Sequence, residues 1–239
     1  MADRDPVTDE IWPTWIGSST PETITVGGLD LPGEVMGRLS LTDLAYLLVT
    51  HREPTAGERR VLDAVLVSLA DHGLTPSALS TRLTHTGAPE AVQASIAAGL
   101  LGAGSVFLGP AGDTAEFLAA LVGSDAGDAG DAPDDDDLRG LAAAAVADCR
   151  AAGRRVPGLG HPVHREEDPR TPRLYALATE EGVLGPHLRL LAFVAEAQEA
   201  ASGRHLPVNG AGAAGAALVD LGLPPAIVRA FVLIGRTAG

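Results

Sequence analysis

Four segments of this 239-residue chain repeat apolar residues at intervals of three and four, each bounded by Gly or Pro. They are "LTDLAYLLVTH" (41–51), "AGERRVLDAVLVSLADHG" (56–73), "APEAVQASIAAGLLGAG" (88–104) and "GPHLRLLAFVAEAQEA" (185–200). That spacing predicts amphipathic helices. Alternating patterns are scarce, and only "ETITVGGLDL" near the start has the β-branched character of a short hairpin, turning at Gly27 and Gly28. The class is therefore all-α. Aromatic residues are 3% of the chain, so helix contacts must rely on Ala, Leu and Val, which permit close packing of many helices. No internal repeat is present.

Bulk composition then removes whole classes of function. A hydrophobic content of 46% over this length is enough to bury one large core or two modest ones. No apolar stretch is expected to reach the length of a membrane span, and "MADRDPVTDE" lacks the order of a signal peptide. The expectation is an intracellular, cytoplasmic protein with no membrane partner. Cys149 is the only cysteine, so the chain holds neither an internal disulfide nor a cysteine-based zinc site. Formal charge is −14, but seven of the acids fall between Gly123 and Asp137, in "GSDAGDAGDAPDDDD". That run is expected to be a disordered, solvated loop whose last Asp residues cap the helix that follows. With the remainder mildly acidic, nucleic acid is not an expected partner.

Three stretches place polar groups where helices end or break. In "SLADHGLTPS", Asp71 and His72 are predicted to end an apolar helix. A histidine there commonly serves only to complement the helix dipole. In "VPGLGHPVHREEDPRTPR" (156–173), prolines and glycines prevent a helix and let the backbone approach a ligand closely. Arg165, Arg170 and Arg173 offer forked donors for carboxylate or phosphate, or pair with Glu166, Glu167 and Asp168. In "HLPVNGAGAAGAALVDLG" a polar turn leads into a helix of small residues suited to a tight interface.

Familiar catalytic patterns are missing from all three. His161 and His164 have no third ligand at a metal-binding spacing, so no metal is expected. No nucleophile elbow supports a serine triad. "GAGAAG" (210–215) follows no hydrophobic parallel strand, which rules out a dinucleotide fingerprint.

The loop "VPGLGHPVHREEDPR" resembles the "GxGHxVxxxxDPR" signature of the citrate synthase superfamily. Two further landmarks lie in the family's order: the "DH" pair ending in His72, and Arg236 in "VLIGRTAG". Within that superfamily the chain most resembles the short citryl-CoA lyase and the C-terminal module of ATP-citrate lyase. Longer citrate synthases carry an extra histidine in a "GPLHG" turn, where this chain has "GAGSVFLGPAGDTAEFL" with Phe107, as the lyase branch does.

The resemblance implies a short-form, two-domain citrate synthase-like fold. Residues 1–104 and 206–239 would form the large domain and 105–205 the small one, closing about Gly104 and Leu206. It implies a carbon–carbon lyase that cleaves citryl-CoA, or a related 3-hydroxy-3-carboxyacyl-CoA, to acetyl-CoA and a 2-oxo acid such as oxaloacetate, or runs the reverse condensation. His72 and His161 would bind the keto or hydroxyl oxygen, His161 acting on it as acid or base. Arg170 and Arg236 would clamp the carboxylates of a di- or tricarboxylate. Val156, Pro157, Gly158, Leu159 and Gly160 would contact coenzyme A, with Arg165, and Arg154 or Arg155, on its phosphates. Coenzyme A enters as part of the substrate, with no tightly bound cofactor. A homodimer or higher oligomer is the family expectation, and members continue past the position of Gly239 into a helix that crosses to the partner subunit.

Two positions depart from the family pattern. The "NVDA" or "NVDG" aspartate that exchanges the thioester α-proton is Asn209 here, in "PVNG". An amide cannot exchange that proton, although it can donate a hydrogen bond. Losing a general acid or base costs about 10²- to 10⁴-fold in rate. The residue after His161 is Pro162, where the lyase branch has a substrate-facing arginine. His164 and His205 are then candidate proton sources or ordinary surface histidines. Asn209 is compatible with a changed substrate or step, with a catalytically impaired paralogue or partner subunit that binds a coenzyme A thioester, with an introduced substitution, or with a repurposed acyl-CoA hydrolase or transferase.

Overall fold

In the computed structural model, residues 14–123 and 133–239 are described. The chain forms two compact units, one ending at Thr55 and one running from Ala56 to Gly239. In the first, strands β1 (Gly17–Ser19), β2 (Ile24–Val26) and β3 (Leu29–Asp30) make an antiparallel sheet in that order. The β2–β3 turn falls on Gly27 and Gly28, both at positive φ, as the expected hairpin requires. β1 is an addition the sequence pattern did not suggest. A π-helical turn (Leu31–Val35) leads into α1 (Leu41–Thr50), whose start is a capping box between Ser40 and Asp43.

Among its described residues the second unit is built of helices joined by irregular segments. Its elements are α2 (Ala56–Ser68), α3 (Pro76–Gly87), α4 (Val92–Val122), α5 (Asp135–Ala151), α6 (Arg170–Glu180), α7 (Pro186–Ser202), α8 (Gly210–Asp220) and α9 (Pro225–Ala238). α8 is the centre, with Gly212 to Val219 buried without a break. Its lack of bulk lets other backbones touch it. A side chain at Gly215 would strike the Ala111 carbonyl of α4, and one at Gly212 would lie 2.5 Å from Gly158 Cα in the 156–169 loop. The small-residue helix predicted from sequence is thus a packing axis inside one chain.

Three sequence expectations need correction. The helix expected to reach Gly73 ends at Ser68, so His72 lies in an irregular segment beyond it. α4, at 31 residues, is long and apolar enough to cross a bilayer by length and composition, contrary to the reading that no stretch is. It is broken at Gly104 (φ 53°, ψ −173°), contains Pro110, and packs on α3, α8 and α9. The acidic run is shorter as a loop than expected. Asp134 caps α5 by accepting from the Asp136 and Asp137 amides, and Asp135, Asp136 and Asp137 form its first turn. The part over residues 124–132 lies outside the described residues.

A buried His187 ties three helices together. Its Nδ1 meets Asp220 Oδ1 at 2.8 Å and its Nε2 meets the Gly123 carbonyl at 2.8 Å, joining the starts and ends of α7, α8 and α4. Asp220 also accepts from the His187 and Leu188 amides.

The close approach of α8 to α4 predicts that Gly215→Val destabilises the protein by about 3 kcal/mol, at the upper end of the usual overpacking cost. Ala216→Gly, which removes one buried methyl, is expected to cost about 1 kcal/mol. Chemical denaturation of both variants checks the order.

Candidate active site

One cleft of the second unit, about 220 Å³, is walled by His72, His161, Arg170, Asn209 and Arg236 together with Phe107, Pro162 and Val232. Five residues separated by up to 164 positions in sequence are thereby brought to one place. The 156–169 loop reaches it through Gly158 and Gly160, at φ 82° and 80°, where only glycine is unstrained. The loop is pinned to the turn before α8 in sheet-like fashion. Gly160 N–H donates to the Pro207 carbonyl at 2.7 Å, and Asn209 N–H donates to the Gly158 carbonyl at 2.9 Å.

Both guanidiniums are held by carbonyls at the end of α2. Arg170 Nη1 donates to Ser68 O at 3.3 Å and Arg236 Nε to Leu69 O at 2.9 Å. Those oxygens have no helical partner because the helix stops there, and their partial negative charge suits cations. Arg170 is also gripped by Asp168, through Nε at 2.9 Å and Nη2 at 2.7 Å. Asp168 is fully buried and accepts in addition from the amides of Arg170 (3.1 Å) and Gly210 (2.8 Å). Burial alone would raise its pKa, but the Arg170 bonds and the two amides outweigh it and hold the carboxyl far below the usual carboxylate range. Arg236 is 8% exposed, and its Nη1 is a buried donor with no hydrogen-bond partner among the described residues.

The two imidazoles are kept neutral. Burial lowers the pKa of His72, and the Arg236 and Arg170 charges lower it further, the reverse of what a helix C-terminal site would do. His72 stands edge-on to Phe107 at 6.0 Å. Burial and neighbouring His164, stacked at 4.6 Å, lower that of His161. Its Nδ1 accepts from the Val163 and His164 amides at 3.1 and 3.0 Å, so the neutral ring carries its proton on Nε2. His161 is therefore a donor, while it stays neutral and so bonded.

Both ends of the Asn209 amide are engaged. Its Oδ1 caps α8 by accepting from Gly212 N–H at 2.8 Å, and its Nδ2 donates to the Gly160 carbonyl at 2.9 Å. Aspartate could keep the first bond but would set a carboxylate oxygen against the carbonyl. His205 lies outside the cleft. Its ring nitrogens bridge Glu199 Oε2 and the Glu166 carbonyl, each at 2.8 Å, and the Glu199 carboxylate and that carbonyl raise its pKa.

A second cleft, about 590 Å³, shares Gly160, His161 and Pro162 with the first. Val156 and Leu159 also line it, with Arg150, Arg154, Arg155 and Arg204. Arg150 and Arg204 did not stand out in the sequence, because one ends α5 and the other follows α7, far from any motif. Arg165 is exposed and outside both linings, while Pro157 faces a neighbouring hollow with Arg154. No group of three or more metal-ligating side chains occurs among the described residues.

An all-helical unit whose cleft sets two imidazoles beside two guanidiniums, next to an arginine-lined groove, offers adjoining sites for anionic groups. The chain matches the model of the citrate synthase C-terminal domain over residues 34–239, and it belongs to the citrate synthase family. Citryl-CoA lyase from Hydrogenobacter thermophilus has a similar structure: TM-score 0.84, 29% identity, covering 96% of this chain and 84% of that one. ATP citrate lyase from Methanosaeta concilii, solved as a D541A mutant with (3S)-citryl-CoA, shares the fold at TM-score 0.74 and 22% identity, over 99% of this chain and 38% of that one. Among curated proteins, putative citrate synthase 2 of Mycobacterium tuberculosis is 27% identical over 213 residues, 87% of this chain. The chain spans about half (53%) of the length of that relative.

Asp168→Ala is expected to cost about 3 kcal/mol in urea unfolding, because it strands Arg170 and the Gly210 amide. Asn209→Asp is expected to lower stability by about 1 kcal/mol at pH 7.5, where Asn209→Ser, retaining the cap, costs less. For His205 the folded pKa lies above 6.5, so its tie to Glu166 is complete below pH 6.5 and is lost as pH rises through the folded pKa. Amide exchange of residues 161–168 should therefore speed up, beyond its intrinsic rate, as pH rises above about 6.5 through the folded pKa, and His205→Ala should abolish that excess.

Proposed function

We propose that this chain is a citryl-CoA lyase-like enzyme. It breaks, or in reverse forms, the carbon–carbon bond of a 3-hydroxy-3-carboxyacyl-CoA, giving acetyl-CoA and a 2-oxo acid. The observation that carries the reading is the wall Gly160–His161–Pro162, which faces an arginine-lined groove on one side and the imidazole and guanidinium cleft on the other. The groove suits the phosphates of coenzyme A, and the likeness to citryl-CoA lyase supports that assignment. The thioester end then lies beside His161.

Cleavage assigns each group one task. The Arg236 guanidinium, which lines the cleft, takes a substrate carboxylate oxygen, helped by the outer N–H groups of Arg170. His72, neutral and with no hydrogen bond on its ring among the described residues that would block it, takes the hydroxyl proton. The oxygen's electrons form the new carbonyl, the carbon–carbon bond breaks, and its pair moves into the thioester enolate. His161 Nε2–H donates to the oxygen that carries negative charge. The enolate carbon takes one proton from solvent and His72 returns the hydroxyl proton to solvent, so the reaction needs no net proton. Asn209 only positions the loop.

The competing reading is a coenzyme A thioester binder without turnover, and what favours it is Asn209, which holds no exchangeable acid proton. A homodimer goes with either. α3 and the first half of α4 leave Leu79, Leu83, Val92, Ile96 and Leu101 exposed, and we assign this face to a second copy.

Purified protein given citryl-CoA and related thioesters is expected to release acetyl-CoA, followed by mass spectrometry. Arg236→Ala and His72→Ala are each expected to lower kcat/KM by about 10²-fold or more. Coenzyme A binding by calorimetry without any release would establish the binder instead. Because burial lowers the pKa of both histidines from the usual 6.5, activity is expected to fall on acidification with a midpoint below that of a free imidazole.

A further inference from the structure

If the lyase reading holds, the identity of the 2-oxo acid is written in the charge balance and walls of the 220 Å³ cleft. Two guanidiniums line it, but they are not equivalent. The charge of Arg170 is matched by the buried carboxylate of Asp168 in a two-point ion pair. Arg236 has no carboxylate within ion-pairing distance among the described residues; Asp71, whose charge acts on it, lines a neighbouring hollow together with Arg236 and His72 but does not line this cleft. The two imidazoles add no charge, being neutral. Of the two cations lining the cleft, one therefore has no paired carboxylate, and Asp71 offsets its charge only at longer range.

The walls point the same way. Leu69, Phe107, Leu108, Pro110, Pro162 and Val232 supply hydrocarbon surface around the polar groups. Pro162, directly after His161, has no donor for a second carboxylate. Burying an unmatched carboxylate against such walls is costly, whereas an alkyl group gains about 0.8 kcal/mol per buried CH₂.

We infer that the acid released or taken up carries one carboxylate and an apolar substituent, a 2-oxo monocarboxylate such as 2-oxobutyrate or 2-oxoisovalerate. The dicarboxylate oxaloacetate is then a poor partner. The carboxylate sits on Arg236, the keto oxygen between His72 and His161, and the alkyl group against Phe107, Pro162 and Val232. The corresponding thioester is a 3-hydroxy-3-carboxyacyl-CoA with an alkyl group where citryl-CoA has a carboxymethyl.

The test is equilibrium binding to the intact protein saturated with coenzyme A at pH 7.5. Calorimetry follows 2-oxobutyrate, 2-oxoisovalerate and oxaloacetate, and the side-chain ¹⁵N resonances of His72 and His161 report whether each acid occupies the cleft. The monocarboxylates are expected to bind at least about tenfold more tightly than oxaloacetate, and to shift both histidines. Pro162→Arg is expected to narrow or reverse that preference. Equal or tighter binding of oxaloacetate by the native protein overturns the inference, as does an unchanged preference in Pro162→Arg. If neither class of acid shifts the histidines while coenzyme A binds, the inference and the lyase reading fall together. If the monocarboxylates bind selectively and no acetyl-CoA is made from or released by the matching thioester, the lyase reading alone fails.

Discussion

The Asp168 carboxylate organises everything around the cleft. It is fully buried and accepts from Arg170 Nε, Arg170 Nη2 and the amides of Arg170 and Gly210. One anion thereby caps the start of α6, meets the first amide of α8 and aims a guanidinium at the end of α2. An anion with this little water is tolerable only because its oxygens are satisfied by matched donors. It adds to the backbone bonds between Gly158, Gly160 and the turn before α8 a second tie, from the end of the 156–169 loop to the first amide of α8.

The end of α2 is the complementary half of the design. A helix that stopped at Gly73 would have consumed the Ser68 and Leu69 carbonyls internally. Because it stops at Ser68, they are open to Arg170 and Arg236. Burial, and then the same two cations, depress the His72 imidazole below its ordinary pKa, so a helix terminus, two arginines and an imidazole form one electrostatic unit. Asn209 belongs with this scaffold. Its amide satisfies a helix N-terminus with one end and a loop carbonyl with the other, a pair of partners that suits an amide and not a carboxylate.

Much of this was legible in the chain. The 3-and-4 apolar spacing marked the helices, and paired glycines marked the β2–β3 turn. "GLGHPVHREEDPR" marked the loop, and His72, His161, Arg170, Asn209 and Arg236 do line one cleft. What was not legible depends on distant backbone. The early stop of α2 has no Gly or Pro signal at Ser68. Arg150 and Arg204 lie outside every motif and acquire meaning only when α5 and α7 place them beside Val156. Arg165, by contrast, sits inside the motif and faces solvent. Asn209 read as a lost acid, because sequence shows which group is absent and not which bonds the replacement makes.

By itself, then, the sequence determined the helical class, the small-residue character of α8 and the inventory of groups available for chemistry, since these follow from local spacing and side-chain type. Only the tertiary structure decided their charge states and duties. Whether Arg170 is neutralised, Arg236 left with a free donor, His161 restricted to donating and Asn209 committed to the scaffold depends on which carboxylates, carbonyls and amides lie within about 3 Å. Those neighbours come from residues up to 167 positions apart, as for Arg236 and Leu69, and are set by packing.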